Sequence, residues 1–453
     1  MARYQEIEAQ IEQHNMNSQR ALERYALERK YNKAKPHQMI EYIINGEKPD
    51  TYLYHSKNKK LWGEVPLILN TMGGKHTEKY NNACHILKTV VKKANSFLDI
   101  IENVKAIKSI MEIYDERLRD VDDWKPKKNN AHTVLYDLLR HLFSTYPTPE
   151  YLVKGFVNYQ LESVYLFQHI GSGKSLKAFP FVPNFQITNK CYQHILTTPE
   201  ECTFAEAYRR AQILSLGGDD QLFFQLMGST FGGITNSANY DKKNEDFWVS
   251  VIKFFIDNAM IAPEKISEII DYINDQKFTI KRRMVEGGKM ISEVDQPNFT
   301  MKGRTPMSLI NQSDDWHHFL RINGKRLKDN VEWQKAEITD LKFQNGEWDY
   351  NIVQLHSAQA LVDEGNTMKH CVGSYANSCA RGTCAIFSFR ASNYSKGIYS
   401  KSEVTLEVRL ENRTKILTQA KAVRNAQPSS YYMSLVKKWC DANEIGISKY
   451  IKF

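Results

Sequence analysis

Residues 361–390, LVDEGNTMKHCVGSYANSCARGTCAIFSFR, concentrate the side chains best suited to chemistry. His370 can carry a proton near neutral pH, Cys371 can act as a nucleophile, and Tyr375 can donate a hydrogen bond. On a helix, Cys371 and Tyr375 would share a face, and His370 would be turned about 100° from Cys371. A cysteine–histidine pair needs hydrogen-bond contact, so we expect His370 to meet a group from a strand instead.

Two strand-like segments further along the chain could supply that group. Over residues 404–410, Val404, Leu406 and Val408 alternate with polar residues and predict a buried face, which places Glu407 on the opposite face. Over residues 415–424 and just beyond, alternation puts Gln419 and Asn425 on one face. If the strands pair and this polar face meets the helix, five side chains converge: His370, Tyr375, Glu407, Gln419 and Asn425.

Such a group could do two kinds of work. One is general acid–base chemistry on a phosphodiester or related substrate, with His370 as proton carrier and Glu407 as its partner. The other is a buried polar network that fixes the fold, each member satisfied by another. A single histidine or cysteine is more often structural than catalytic, and the sequence leaves both uses open.

Metal ligation is a third use of the same stretch. His370, Cys371, Cys379 and Cys384 are potential zinc ligands, but structural zinc usually takes cysteines two to four residues apart, and these spacings differ. We therefore predict no metal site and no cofactor, apart from a divalent cation if the protein is a nuclease. Residues 171–175, GSGKS, lack the earlier glycine and preceding strand of a phosphate loop, so an exposed turn is expected.

The elements that must position these residues predict an α+β fold, a largely all-helical N-terminal region followed by a small α+β domain. Its antiparallel sheet should have about three to five strands, with a hairpin turn at Asn345-Gly346 and helices over 357–363, 367–380 and 429–443. We divide the chain into a charged helical arm at 1–35, a helical region at 36–275, a basic linker at 276–304 and the α+β domain at 305–453. No catalytic constellation is evident in residues 36–275.

The basic linker is the best candidate for phosphate contacts. Its cations outnumber Glu286, Glu293 and Asp295, and Phe278 and Phe299 are close enough to stack on bases. A solvated connector between domains is the alternative. The candidate nucleic-acid-binding residues are Lys277, Lys281, Arg282, Arg283, Lys289, Lys302 and Arg304.

The C-terminal third also resembles a known family. Its pattern of Glu364-Gly365, Met368, His370-Cys371-Val372, Tyr375 and Gly382, followed by the strand-like residues 385–390, is similar to the core motif of the PcfJ-like proteins. Further along the chain, residues 404–408 followed by Gln419, Asn425 and Pro428 are similar to the tail of that family's motif. The resemblance covers residues 316–443. It implies a setting on conjugative plasmids, phages and related mobile elements, and it implies no particular reaction.

Composition sets broader limits. The chain has 453 residues and a hydrophobic fraction of 42%, which suits a protein of two or three domains. Its net charge of +9 is compatible with a polyanion partner. Seven cysteines without a regular spacing favour free thiols in a reducing compartment. Neither an apolar run of 18 residues nor a secretory signal is evident, so we expect a cytoplasmic protein with no membrane association.

These observations predict a nucleic-acid-associated accessory protein of a mobile genetic element, acting in DNA processing or transfer and binding mainly through phosphates. Two alternatives stay open. One is a nuclease or toxin-like enzyme centred on His370 with Tyr375 and Glu407. The other is a protein–protein adaptor that uses the helical region and contacts no nucleic acid. The substrate, DNA or RNA preference, strand preference, oligomeric state and partner are left open.

Overall fold

A computed structural model describes residues 2–47, 56–127, 129–180, 188–235, 240–284, 290–324, 331–370, 372–411 and 414–451. The chain forms two compact units. The first comprises residues 1–183 and 187–211, and the second comprises residues 184–186 and 212–453.

The first unit is built from helices. Their apolar residues recur every three or four positions, so each helix buries one side, as α4 and α5 do with Leu87 and Ile107. The Thr77 hydroxyl begins α4 by accepting a hydrogen bond from the Tyr80 amide at 3.2 Å. The helices are α1 Ala2–Lys33, α2 Pro36–Ile44, α3 Ser56–Asn70, α4 Glu78–Lys93, α5 Glu102–Glu112, α6 Val134–Phe143, α7 Val153–Val157, α8 Leu161–Gly171, α9 Asn189–Leu196 and α10 Phe204–Ser215, which reaches into the second unit.

The second unit begins with four helices and a hairpin. Pro263 occupies the first position of α14, where its missing amide hydrogen costs nothing. Helix α14 packs against α11, α12 and the following helix α15. The elements are α11 Asp220–Met227, α12 Thr230–Thr235, α13 Glu245–Asp257, α14 Pro263–Phe278, the antiparallel pair β1 Ile280–Met284 and β2 Met290–Val294, and α15 Pro306–Gly324.

A six-stranded sheet forms the rest of the second unit, in the order β3-β4-β5-β6-β7-β8. All neighbours are antiparallel except β7 and β8, which are parallel. The elements are β3 Leu341–Asn345, β4 Trp348–Leu355, α16 Ala358–Met368, α17 Ala376–Ala380, β5 Cys384–Asn393, β6 Ile398–Glu411, β7 Thr414–Lys421, α18 Ser430–Ala442 and β8 Gly446–Ile447.

Different clusters cover the two faces of this sheet. On one face Phe387 and Leu406 pack in a buried cluster with Trp439 of α18, and the Phe387 and Trp439 ring centroids are 4.8 Å apart. On the other face Ile386 packs in a smaller cluster with Leu361 of α16. Successive side chains along β5 and β6 lie on opposite faces of the sheet. The polar residues of β6 therefore lie on the face that α16 covers.

The structure confirms the predicted α+β class, with six strands rather than three to five. The predicted hairpin is present, but its turn is displaced by one residue: Asn345 ends β3 and pairs with Trp348, so Gly346 and Glu347 form the turn. Gly346 has a positive φ of 62°, which such a turn favours. Helix α16 continues through Gly365 to Met368, beyond the predicted end, and Lys369 ends it in a left-handed conformation. The four proposed segments and the three boundaries between them stay predictions. Within the described residues, no helix is both long enough and apolar enough to cross a membrane.

Candidate functional site

Two cross-strand rows of β5, β6 and β7 form the base of the candidate site. Ile386, Glu407 and Gln419 are register partners in one row, and Ser388, Thr405 and Lys421 are partners in the next. These rows lie on the sheet face opposite the Trp439 cluster. The predicted division of β6 into an apolar face and a polar face is therefore present in the structure.

A β-bulge in β7 is needed to place Gln419 and Lys421 on that face. Glu407 pairs with Gln419, yet Val408 pairs with Leu417, so Thr418 is an extra residue in β7. Leu417 packs in the Trp439 cluster, and in a regular strand Gln419, two residues later, would face the same way. The bulge shifts the alternation by one residue and turns Gln419 toward the polar face.

A polar stripe on α14 completes a cavity of about 300 Å³ over these strands. Four carboxylates of α14 line this cavity. They are three or four residues apart, and such positions share one face of a helix. The opposite side of α14 buries isoleucines in the core. The carboxylates of the stripe are Glu264, Glu268, Asp271 and Asp275.

All five residues predicted to converge line this cavity: His370, Tyr375, Glu407, Gln419 and Asn425. They come from the segment after α16, from β6, from β7 and from a 3-10 turn after β7. Convergence is a geometric finding, and the catalytic role of these residues stays a prediction.

His370 is held by a chain of buried hydrogen bonds. Its backbone amide donates to the Gly365 carbonyl at 3.1 Å, and its Nε2 lies 2.9 Å from the Thr405 hydroxyl. That hydroxyl donates to Glu364 Oε1 at 2.7 Å, and Ser402 donates to Glu364 Oε2 at 2.9 Å. Because the Thr405 proton is used on Glu364, Thr405 accepts from His370, and Nε2 therefore carries a proton.

Tyr375 and Gln419 surround the Glu407 carboxylate. The Tyr375 hydroxyl lies 3.5 Å from Glu407 Oε2 and accepts a hydrogen bond from Gln419 Nε2 at 3.3 Å. Arg409 Nε donates to Glu407 Oε1 at 3.4 Å. Glu407 is only 6% exposed, and this burial raises the pKa of its carboxyl above the usual range, although Arg409 partly opposes the shift.

Asp271 and Lys421 bring opposite charges into the cavity. Burial raises the pKa of Asp271 to about 6, and the Thr230 hydroxyl, which donates to Asp271 Oδ1, partly opposes the shift. Burial also lowers the pKa of Lys421, against the attraction of Asp271, Glu268 and Glu264. Within the described residues, the Lys421 ammonium makes no hydrogen bond and no ion pair closer than 4.0 Å, so it can bind a ligand.

Asn425 reaches the cavity by a different route from the one expected. Strand β7 ends at Lys421, and Asn425 lies in the 3-10 turn Val423–Asn425 with φ of 58°. Its placement on the strand was therefore wrong. Its Nδ2 donates to Glu268 Oε1 at 2.8 Å, which links the turn to α14.

Three predicted phosphate-binding residues are engaged within the protein. Lys281 pairs with Asp275 at 2.6 Å and with Asp295. Lys277 donates to the carbonyls of Pro297 and Phe299 at 3.0 Å, and Arg304 Nε donates to the Thr300 carbonyl at 2.7 Å. Lys302 is exposed; Lys289 and the side chains of Arg282 and Arg283 lie outside the described residues. Phosphate binding by this segment stays a prediction.

The candidate zinc ligands are only partly described. Cys371 lies outside the described residues, and Cys379 and Cys384 are buried with their Sγ atoms 3.5 Å apart. Elsewhere, His85, Asp120 and Asp122 of the first unit bring three donor atoms within 4.8 Å of one another. Exposed carboxylates commonly gather in this way without a metal.

The α14 carboxylates and Lys421 are the site residues that sequence reasoning missed. Helix α14 was assigned to a helical region without chemistry. The available signal was the spacing of Glu264, Glu268, Asp271 and Asp275 on one face, opposite the isoleucines. Glu364 was noted as part of the family motif without a role, and the structure shows that it supports His370 through Thr405.

Comparison with known proteins supplies one match. The family model described as PcfJ-like protein matches residues 288–436. The match includes α15, β3 to β7 and the segment with His370, whereas α14 precedes it. No curated protein and no solved structure matches the chain. The C-terminal third of the chain, residues 288–436, is therefore similar to the PcfJ-like family, as its motif predicted.

Proposed function

We propose that the second unit is an enzyme that performs general acid–base catalysis on a phosphodiester of a nucleic acid. One observation carries the proposal: the five residues chosen for their chemistry line one cavity together with Asp271 and Lys421. The two added groups have pKa values displaced toward neutrality from opposite sides. Displaced pKa values in a concave site are typical of active sites.

Asp271 is the proposed proton carrier. A carboxyl with a pKa of about 6 exists in both protonation states near neutral pH, so it can accept a proton from a nucleophile or give one to a leaving group. The Thr230 hydroxyl donates to Oδ1 and fixes the orientation of the carboxyl. The other oxygen, Oδ2, is left for the substrate.

Lys421 is the proposed electrostatic group. Its ammonium makes no ion pair closer than 4.0 Å within the described residues, and it lies in a partly buried site where charge is weakly screened. Negative charge that develops on phosphoryl oxygens in the transition state would be stabilised there.

His370 and Tyr375 are proposed to orient the substrate. The His370 ring is fixed by Thr405 and Glu364, so it holds one orientation without rearrangement. The Tyr375 hydroxyl is similarly placed by Gln419 and Glu407. Preorganised hydrogen-bonding groups lower the reorganisation required in the transition state.

The charge of the cavity favours a substrate that brings a cation. Five lining carboxylates face one lysine: Glu264, Glu268, Asp271, Asp275 and Glu407. Lys265 pairs with Glu268 at 2.7 Å, and Lys281 pairs with Asp275, so part of this charge is offset. Mg²⁺ usually binds through one or two carboxylates and the substrate phosphate, and this lining suits a phosphodiester with Mg²⁺.

A nucleic-acid-associated accessory role on a mobile element is the second candidate. The hairpin of β1 and β2 carries the basic run, and Lys302, further along the chain, is exposed. The family resemblance and the net charge of +9 support nucleic acid as the ligand in either case. An adaptor role remains a further alternative, supported by the exposed apolar residues Leu22 and Tyr25 of α1.

Incubation of the purified chain with labelled single-stranded DNA, duplex DNA and RNA tests these candidates. Each nucleic acid is run with and without Mg²⁺, at two salt concentrations, on native and denaturing gels. Shortened strands that are lost in His370→Ala and Asp271→Asn, but kept in the exposed-site control Asp315→Asn, support the enzyme. A salt-sensitive shift with intact strands, equal in all variants, supports the accessory role and contradicts the enzyme. The absence of both effects contradicts both proposals.

A further inference from the structure

A second cavity, of about 570 Å³, adjoins the candidate active site. Five residues line both cavities, so the second one continues the first across the end of β7 and α14. The shared residues are Glu264, Ser267, Gln419, Lys421 and Asn425. A substrate that fills the first cavity can therefore extend past Lys421 into the second.

Side-chain amides give the second cavity its polar character. Gln221, Gln225 and Gln427 line it, and their side-chain amides make no hydrogen bond within the described part of the chain. Asn425 uses its Nδ2 on Glu268, which leaves its carbonyl oxygen as an acceptor. Amides offer donors and acceptors side by side without charge, which suits a neutral ligand edge that presents both.

Aromatic rings supply an apolar surface beside the amides. Phe224 and Tyr450 both line the cavity, with ring centroids 6.2 Å apart. Both residues are half-buried, so part of each ring remains accessible. A flat ring can stack on such a surface while its edge meets the amides.

We propose that the second cavity binds an unstacked nucleobase of the substrate, with the attached phosphate at Lys421. The aromatic rings would stack on the base, the amides would bind its edge, and the lysine would bind the phosphate at the boundary with the first cavity. The inference rests on the proposed function, because it places the scissile phosphodiester beside Asp271. It restricts the substrate to a single strand or a strand end.

Binding of small probes tests this arrangement without catalysis. Isothermal titration of the full chain is performed with deoxyadenosine 5′-monophosphate, deoxyadenosine and 2-deoxyribose 5-phosphate. We expect the nucleotide to bind more tightly than either fragment. Phe224→Ala should weaken nucleotide binding by about 5- to 150-fold, the range that corresponds to loss of one stacked base.

Two further variants separate the contributions and guard against misfolding. Gln427→Ala, at an exposed position, should weaken binding of the nucleotide without changing binding of 2-deoxyribose 5-phosphate. Lys421→Met should reduce the preference for the nucleotide over deoxyadenosine while leaving deoxyadenosine binding in place. Gln344→Ala, an exposed glutamine on β3, is the matched control and should bind like the parent chain.

Equal binding of the nucleotide and the sugar phosphate would overturn the inference. So would unchanged nucleotide affinity in both Phe224→Ala and Gln427→Ala, or no nucleotide binding at all. Strand cleavage with no base requirement would leave the proposed function in place without this subsite. Nucleotide binding that depends on Phe224, in a chain that cleaves no strand, would support the base-binding subsite and contradict the proposed function.

Discussion

Asp271→Asn should remove one contribution to the pH dependence of the unfolding free energy of the second unit. Asparagine has nearly the same shape as aspartate and keeps an oxygen to accept the hydrogen bond from Thr230. It removes the ionisation that makes Asp271 costly to bury. The variant therefore isolates the effect of one charge on folding.

The magnitude follows from the two pKa values. Asp271 has a pKa of about 6 in the folded protein against an ordinary value of 3.8, so folding favours its protonated form. Its contribution to stability is complete below pH 3.8 and is lost as the pH rises through about 6. The loss is at most roughly 3 kcal/mol of unfolding free energy, because water in the cavity reduces the effect.

Urea unfolding at pH values from 4 to 7.5, followed by tryptophan fluorescence, measures this effect. Five of the seven tryptophans lie in the second unit, so the signal mainly reports that unit. The unfolding free energy of Asp271→Asn relative to the parent chain should increase between pH 4 and pH 7. Asp315→Asn, at an exposed position of α15, should show no such increase.

A pH-independent difference between the parent chain and Asp271→Asn would refute this account of Asp271. A difference that decreased with rising pH would show that the ionised carboxylate is stabilised in the cavity. In that case a cation such as Lys421 would dominate over burial.

Three further predictions concern the supports of the site. Glu364→Gln should lower the unfolding free energy by about 1–3 kcal/mol in urea titrations, because the Thr405 and Ser402 hydroxyls lose a charged acceptor. Glu337→Gln, at an exposed position, is the control and should leave the unfolding free energy unchanged. Gly365→Ala should cost about 1–3 kcal/mol, since its Cβ would lie 2.8 Å from the His370 carbonyl oxygen; Gly446→Ala, with no atom nearer than 3.6 Å, is the control. Tyr375→Phe should slow strand cleavage and cost about 1 kcal/mol, because Glu407 loses a partner; unchanged cleavage would exclude a role for the hydroxyl.

Local patterns predicted much of the sheet. Alternation along β6 separated Val404, Leu406 and Val408 from Thr405 and Glu407, because one face of the strand packs against α18. Asn345-Gly346 marked the hairpin for an equally local reason, the positive φ of its glycine.

Features that depend on tertiary contacts were not predictable in this way. The bulge at Thr418 shifts the alternation of β7 without a sequence signal, and Asn425 reaches the cavity from a turn after the strand has ended. The pairing of α14 with the sheet joins residues more than 100 positions apart, such as Glu268 and Asn425. A polar stripe on a helix usually faces solvent, so its role in a cavity appears only in the folded chain.

The most direct test of the central claim is the pH dependence of strand cleavage. The measured quantity is kcat/KM of the parent chain and Asp271→Asn between pH 4.5 and 8, with a labelled single strand and Mg²⁺. We predict a transition near pH 6 in the parent chain, the pKa of Asp271, and its loss with a lower rate in the variant. A variant that keeps both the transition and the rate of the parent chain would contradict an acid–base role for Asp271 and for this cavity.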